Sequence, residues 1–306
     1  MVIGPDGALY ICEIDRHVVS RLDLKSRQLT IVAGTAGQSG YAGDGGLATA
    51  ARLNEPYEVR FDRAGNLFFV EMKNHLVRRV DKKTRLITTV AGTGEAGFAG
   101  DGGPARVAQF RQPHSIAFDA QGRLWICDIG NHRVRRLDLA SGTIDTIAGT
   151  GERANTPEGA PFSKTTPLNG PRAIDFDREG NLYLVLREGN RVYQVDARTQ
   201  TLALLAGTGR KGWTGDGGDA RQADLNGPKG VAWSPEGAIY IADTESHTVR
   251  RIDTRTRVIS TITGDGKRGL TARPHGVFAD RRGVVYVGDS ENHRVLRISG
   301  IRSPAK

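Results

Sequence analysis

The sequence predicts an all-β protein: a six-bladed β-propeller with four-stranded antiparallel blades. Three observations carry that reading. A turn glycine recurs at Gly7, Gly65, Gly122, Gly180, Gly237 and Gly283, with spacings of 58, 57, 58, 57 and 46 residues. Similar strand text follows the later copies, as in Asn66-Leu-Phe-Phe-Val-Glu71, Arg123-Leu-Trp-Ile-Cys-Asp128 and Ala238-Ile-Tyr-Ile-Ala-Asp243. No stretch carries a helical period. A fixed period of this length marks a repeat architecture, and a unit that cannot bury its faces alone must stack on its neighbours.

The second copy shows the unit. Val59 to Asp62 is a short alternating run, followed by a turn at Arg63-Ala-Gly65. Leu67 to Glu71, Leu76 to Asp81 and Leu86 to Ala91 follow, separated by the polar turns Lys73-Asn74-His75 and Lys82-Lys83-Thr84. Four short β-rich runs joined by turn residues read as a meander. The fourth run ends in a small residue and glycine, as in Val90-Ala-Gly92, and a glycine-rich connection leads to the next unit. Three connections contain Gly-Asp-Gly-Gly, at Gly43 to Gly46, Gly100 to Gly103 and Gly215 to Gly218. Their glycines suit positive φ, and the aspartate suits capping of nearby amides. Alternating carboxylates of an EF-hand are missing from these connections.

The copies Asn74-His75-Leu76, Asn131-His132-Arg133-Val134-Arg135-Arg136-Leu137-Asp138, Ser246-His247-Thr248 and Asn292-His293-Arg294 resemble the NHL-repeat family of propellers, over essentially the whole chain. The resemblance implies the fold. It does not imply one function, because such propellers serve as RNA binders, interaction modules, sensor domains and lyases.

We expect one domain over residues 1–300, with blades at about 1–56, 57–113, 114–171, 172–228, 229–274 and 275–300 and a tail at 301–306. The sixth copy ends on a third run, Val295 to Ile298, so the last blade is expected to have three strands or to be completed by a terminus. No segment approaches 18 apolar residues, which argues against a membrane-spanning helix. No signal peptide is visible, and we expect a monomer. Cys12 and Cys127 occupy the same strand position two blades apart, too far to bridge, and are expected to be structural thiols. The net charge of +9 admits a polyanion such as nucleic acid. Few stacking aromatics accompany it, so we favour arginines such as Arg78-Arg79, Arg135-Arg136 and Arg250-Arg251 spread over a solvated rim.

Function is sought where copies disagree. His17, His75, His132, His247 and His293 share one turn position and are expected to be structural. His114 and His275 each follow a proline at the start of a first strand, where other copies place Tyr57, Arg172 and Lys229. This position is expected to face a central channel. The end of the second strand supplies another set, Glu13, Glu71, Asp128, Asp243 and Asp289, with Leu186 as the exception. An acid there often caps backbone amides.

Pro113-His114-Ser-Ile116 and Pro274-His275-Gly-Val277 are similar to the Pro-His strand starts of the peptidyl-amidoglycolate lyase propeller. That resemblance implies a channel zinc and carries over to His114 and His275 alone; imidazole and carboxylate are both competent ligands, so we expect a divalent metal, zinc or calcium, with Asp128 or Asp289 completing the set, and no organic cofactor. The lyase's third ligand, a histidine at the end of a second strand, is an acid here. Glu58 is a further channel candidate. Two functions remain. One is a metal-dependent hydrolase of esters, lactones or phosphoesters, or a lyase, with Arg172 and Lys229 neutralising an anionic substrate and Tyr57 as acid or base. The other is a binding scaffold for a peptide, glycan or protein ligand. Nucleic acid is a weaker third.

Overall fold

The computed structural model describes residues 1–301, so 302–306 of the expected tail lie outside the described residues. The chain divides into two compact units, Met1–Gly151 and Glu152–Lys306, and the division falls in the connection between the third and fourth blades.

The first unit holds three sheets, each in the order of the sequence. Blade one is β1 (Val2–Ile3), β2 (Leu9–Glu13), β3 (Val18–Leu22) and β4 (Leu29–Ala33). Blade two is β5 (Pro56–Phe61), β6 (Leu67–Glu71), β7 (Leu76–Val80) and β8 (Ile87–Ala91). Blade three is β9 (Pro113–Phe118), β10 (Leu124–Asp128), β11 (Arg133–Asp138) and β12 (Thr143–Ala148). β5 packs against β9, and side chains of successive sheets interdigitate: Phe68, Val70 and Val77 meet Ile116, Leu124 and Ile126 in one buried cluster.

The second unit holds blade four, β13 (Pro171–Phe176), β14 (Leu182–Leu186), β15 (Arg191–Val195) and β16 (Leu202–Ala206). Blade five is β17 (Gly230–Ser234), β18 (Ala238–Asp243), β19 (Thr248–Asp253) and β20 (Ile259–Thr263). Blade six is β21 (Pro274–Ala279), β22 (Val285–Asp289) and β23 (Arg294–Ile298), three-stranded among the described residues. β13, β17 and β21 pack side by side. The fold is thus a six-bladed β-propeller with antiparallel blades, as the repeat predicts. Among the described residues, helix is confined to short 3₁₀ turns.

The first arginine of each doublet does not lie on a solvated rim. Arg78, Arg135 and Arg250 are completely buried. Each is held by the aspartate of the preceding Gly-Asp-Gly-Gly connection: Asp44 at 2.7 Å, Asp101 at 2.8 Å and Asp216 at 2.7 Å. Those aspartates also accept backbone amides of Thr89, Thr146 and Thr261 on the outermost strand. The connection thereby hydrogen-bonds along the blade's outer edge, as in Gly45 N to Ile87 O and Ile87 N to Gly46 O. It covers a sheet edge that would otherwise offer unpaired amides. A sequence period of two assigns alternate residues to the surface, but here the neighbouring connection supplies the surface.

Blade four uses a neutral version. Tyr193 stands where Arg78 stands in blade two, and its hydroxyl donates to Thr156 O at 2.8 Å. Leu186 replaces the acid, so the ion pair is exchanged as a set.

One glycine shows why the fourth strand ends as it does. Gly207 has φ of 97°, and a methyl group there would overlap the carbonyl oxygen of Asn190.

Candidate functional site

The sequence position that varies most is set by the residues that vary least. Two consecutive amides precede the proline of each first strand. In blade two, Asn54 N donates to Glu71 at 2.8 Å and Glu55 N to His17 Nδ1 at 3.3 Å. In blade three the pairs are Arg111 to Asp128 at 2.8 Å and Gln112 to His75 at 3.0 Å. In blade six they are Ala272 to Asp289 at 2.6 Å and Arg273 to His247 at 3.1 Å. The acid closing the second strand and the turn histidine of the preceding blade therefore clamp the lead-in from two sides. The histidines adopt the left-handed conformation, with φ from 50° to 55°. In blade five, Asn226 N donates to Asp243 at 2.7 Å and Gly227 N to Asn190 Oδ1 at 2.8 Å. Asn190, with φ of 48°, serves in place of a histidine Nδ1.

The clamped acids are buried, and burial pushes Glu71, Asp128 and Asp243 up to about 7 against the pull of their amide and arginine donors. Glu71 also accepts from Asn74 at 2.6 Å and Arg78 at 2.9 Å. Asp289 accepts from Asn292 and Arg294, both at 2.8 Å. Glu13 is more open and pairs with Arg16 at 2.8 Å and with Ser20.

In blades two, three, five and six the clamp presents the residue after the proline, while in blade four the Asn169 amide donates to Thr156 Oγ1 at 3.1 Å. In the first unit, Tyr57 and His114 meet edge to face, ring centroids 4.7 Å apart. His114 Nδ1 donates to Gln112 O at 2.7 Å, which fixes the tautomer and leaves Nε2 as the acceptor. Glu58 pairs with Arg60. A cavity of about 190 Å³ in this unit is lined by Tyr10, Phe61, Leu67 and Lys82 and includes none of these slot residues.

In the second unit, Arg172, Lys229 and His275 occupy the same position of successive blades. Lys229 Nζ lies 3.1 Å from His275 Nε2 and 3.2 Å from Glu245 Oε1. Glu245 Oε1 also receives Arg273 at 2.7 Å, and Arg187 stands 3.7 Å away. Burial lowers Lys229 to about 8, with Glu245 opposing the shift and Arg172 adding to it. Burial and the surrounding cations Lys229, Arg172, Arg273 and Arg187 drive His275 down to about 3, so its imidazole is neutral. Nε2 then accepts from the lysine ammonium, and Nδ1 carries the proton.

The ion pairs continue outward. Glu188 pairs with Arg187 and, at 3.4 Å, with Arg153. Glu291 pairs with Arg268 and approaches Arg273 Nε at 3.8 Å. Arg187 and Arg273 each bridge two glutamates. Sequence reasoning found Arg172, Lys229 and His275 and missed Glu245, Arg187 and Arg273. A signal was present: the second residue after the second-strand end position is Glu188, Glu245 and Glu291 in the last three blades, against Asp15, Lys73 and Gly130 in the first three.

The expected metal ligands do not fit a metal as arranged. His275 turns its Nε2 lone pair to an ammonium and sits among four cations, which repel a divalent ion. Asp128 and Asp289 spend their oxygens on amides and side-chain donors. His114 and His275 share the tautomer with the proton on Nδ1, but Nε2 of His275 is taken by Lys229. Among the described residues, no group of three or more His, Cys, Asp or Glu side chains is placed to hold a metal. No helix of the described residues is long and apolar enough to cross a membrane.

Comparisons with known proteins agree with the fold. A family model for the teneurin NHL domain matches residues 207–277, and the NHL repeat model matches 110–137 and 271–298. Protein SUPPRESSOR OF QUENCHING 1, chloroplastic, of Arabidopsis thaliana is 27% identical over 247 residues, 77% of this chain and 23% of that protein. NHL repeat-containing protein 2 of Bos taurus is 25% identical over 285 residues, 83% of this chain and 39% of that protein. The chain thus spans well under half the length of these relatives. An auxiliary nutrient binding protein from Bacteroides ovatus superposes with a TM-score of 0.68 at 18% identity, covering 97% of this chain and 68% of that one. A catalytically inactive variant of virginiamycin B lyase from Staphylococcus aureus, crystallised with quinupristin, gives 0.58 at 13% identity, covering 97% and 79%. Repeat period, blade construction and family matches identify the chain as an NHL-repeat β-propeller.

Proposed function

We propose that this protein is a binding propeller that takes an anionic ligand at the Arg172, Lys229, His275 and Arg273 cluster of its second unit. The observation that supports this reading is the burial of Lys229, 7% exposed at its side chain, beside Arg172 and Arg273, with Arg187 facing the same partner, Glu245. Gathering guanidinium groups around a buried ammonium is costly and persists only where opposite charge offsets it. Glu245 is the acid in direct contact with Lys229. A neutral imidazole beside the ammonium adds a hydrogen-bonding surface without adding charge. A cationic cluster of this kind suits a small organic anion, or an acidic group on a peptide or glycan.

The reading is tested by calorimetric titration with organic anions, inorganic phosphate, neutral sugars and amidated peptides. Anions should bind and the neutral probes should not. Lys229→Met combined with Arg273→Met should abolish anion binding while leaving the melting temperature near that of the wild type. Equal binding of neutral and anionic probes would remove the proposal.

A second reading, hydrolysis or lyase chemistry on an anionic substrate, draws support from one feature. Lys229 is lowered to about 8 beside an imidazole lowered to about 3, and paired groups with divergent pKa values mark acid–base assignments. Turnover of activated esters or lactones, lost in Lys229→Met, would favour it over simple binding.

A further inference from the structure

We propose that Glu245 is the built-in occupant of a carboxylate subsite, and that a ligand's carboxylate takes its place. The inference rests on the anion-binding reading above and names the group recognised. Lys229 at 3.2 Å, Arg273 at 2.7 Å and Arg187 at 3.7 Å converge on one oxygen, Oε1 of Glu245. Glu188 and Glu291 each hold an arginine of their own, Arg153 and Arg268, farther along the chain of ion pairs. Glu245 is therefore the acid that answers Lys229, and its position defines where a carboxylate oxygen is accepted.

The backbone beneath it is fixed while the side chain is not. Glu245 N donates to Asn226 O at 3.0 Å. Thr244 Oγ1 donates to Pro274 O at 2.7 Å, and Ser246 Oγ to Gly212 O at 3.2 Å. The turn is thus pinned at three successive residues. The glutamate side chain is 28% exposed and reaches its donors through two methylenes. Rotation about those bonds carries the carboxylate into solvent without moving the strand end. An incoming carboxylate then meets the same donors, so no buried cation loses its partner during the exchange. Neutral ligands offer no such exchange, because they would leave Lys229 and Arg273 uncompensated.

An internal occupant competes with the ligand, and the apparent affinity is the intrinsic one scaled by the fraction of open subsite. Removing the occupant raises affinity. The experiment titrates acetate, succinate, a peptide with a free C-terminal carboxylate, its amidated form and inorganic phosphate. The proteins are wild type, Glu245→Ala, Glu245→Gln, Glu291→Ala and Glu245→Ala combined with Lys229→Met. We expect Glu245→Ala to bind carboxylates about tenfold more tightly than wild type. Glu291→Ala should stay near wild type, and Lys229→Met should erase the gain. Glu245→Gln keeps the side-chain volume and carries the comparison if the alanine variant loses its fold. Equal carboxylate affinity in wild type and the Glu245 variants would overturn the subsite while leaving the anion site standing. Failure of every protein to bind any anion would overturn the site itself. Tighter binding of phosphate than of carboxylates by the Glu245 variants would overturn the carboxylate assignment.

Discussion

Lys229 donates to His275 across 3.1 Å, from the same position of consecutive repeats. Each residue explains the other's state. Burial and the adjacent ammonium hold the imidazole neutral, and the neutral imidazole gives a buried ammonium a hydrogen-bond acceptor.

The first prediction follows from the lysine. Its pKa is lowered to about 8, so the charge is present below that pH and is lost as pH rises through it. Anion affinity should be flat at neutral pH and below, and should fall as the solution turns alkaline. A bound anion favours the ammonium, so binding just above the lysine's pKa should take up protons. Calorimetry in buffers of different ionisation enthalpy measures that uptake, and buffer-independent heats in that range would contradict it.

The second concerns stability and pH. The folded-state pKa of His275 is about 3, below its unfolded value of 6.5. The unfolded chain therefore binds the extra proton between those values. His275 contributes stability that is fully present above pH 6.5 and is lost as pH falls toward 3. The wild type minus His275→Asn difference in unfolding free energy should rise with pH by up to about 1.4 kcal/mol per unit across that window. Urea denaturation at several pH values inside it provides the curve, and a flat difference would refute the assignment.

A third concerns the buried arginines. Asp101 and Arg135 meet at 2.8 Å with the guanidinium wholly buried. Removing one partner leaves the other charge uncompensated, so Asp101→Asn or Arg135→Met alone should cost about 3 kcal/mol. The double variant should cost clearly less than the sum, as a double-mutant cycle by chemical denaturation would show. Leu186 and Tyr193 in blade four already illustrate an uncharged solution.

A fourth tests the clamp. Asn190→His should be nearly neutral, because histidine fills this turn in the other blades, and Nδ1 of His17, His75 and His247 accepts the backbone amide of Glu55, Gln112 and Arg273. Asn190→Ala removes the acceptor from the buried Gly227 amide and places alanine at φ of 48°. The combined cost should be about 2 kcal/mol. Thermal unfolding distinguishes the two variants, and equal melting temperatures would remove the clamp's energetic role.

The blades were legible because turn glycines and alternating strands report local geometry. The lead-in position was legible for the same reason: Pro56, Pro113, Pro171 and Pro274 each begin a strand. Arg78, Arg135 and Arg250 were misassigned to the surface because their cover, the Asp44, Asp101 and Asp216 connections, comes from the preceding repeat. Glu245 was overlooked because its significance lies in convergence, and sequence spacing does not show which side chains converge. Leu186 stood out as the exception among the second-strand acids, yet the structure shows it, with Tyr193, inside a complete local substitution.

The paired amides ahead of the first strands of blades two, three, five and six are held by groups outside the residue they deliver. Tyrosine, histidine and lysine all stand in that place above the same pair of clamped amides. Recognition is therefore uncoupled from foldability at this position, and ligand preference can be rewritten one repeat at a time while the scaffold stays constant.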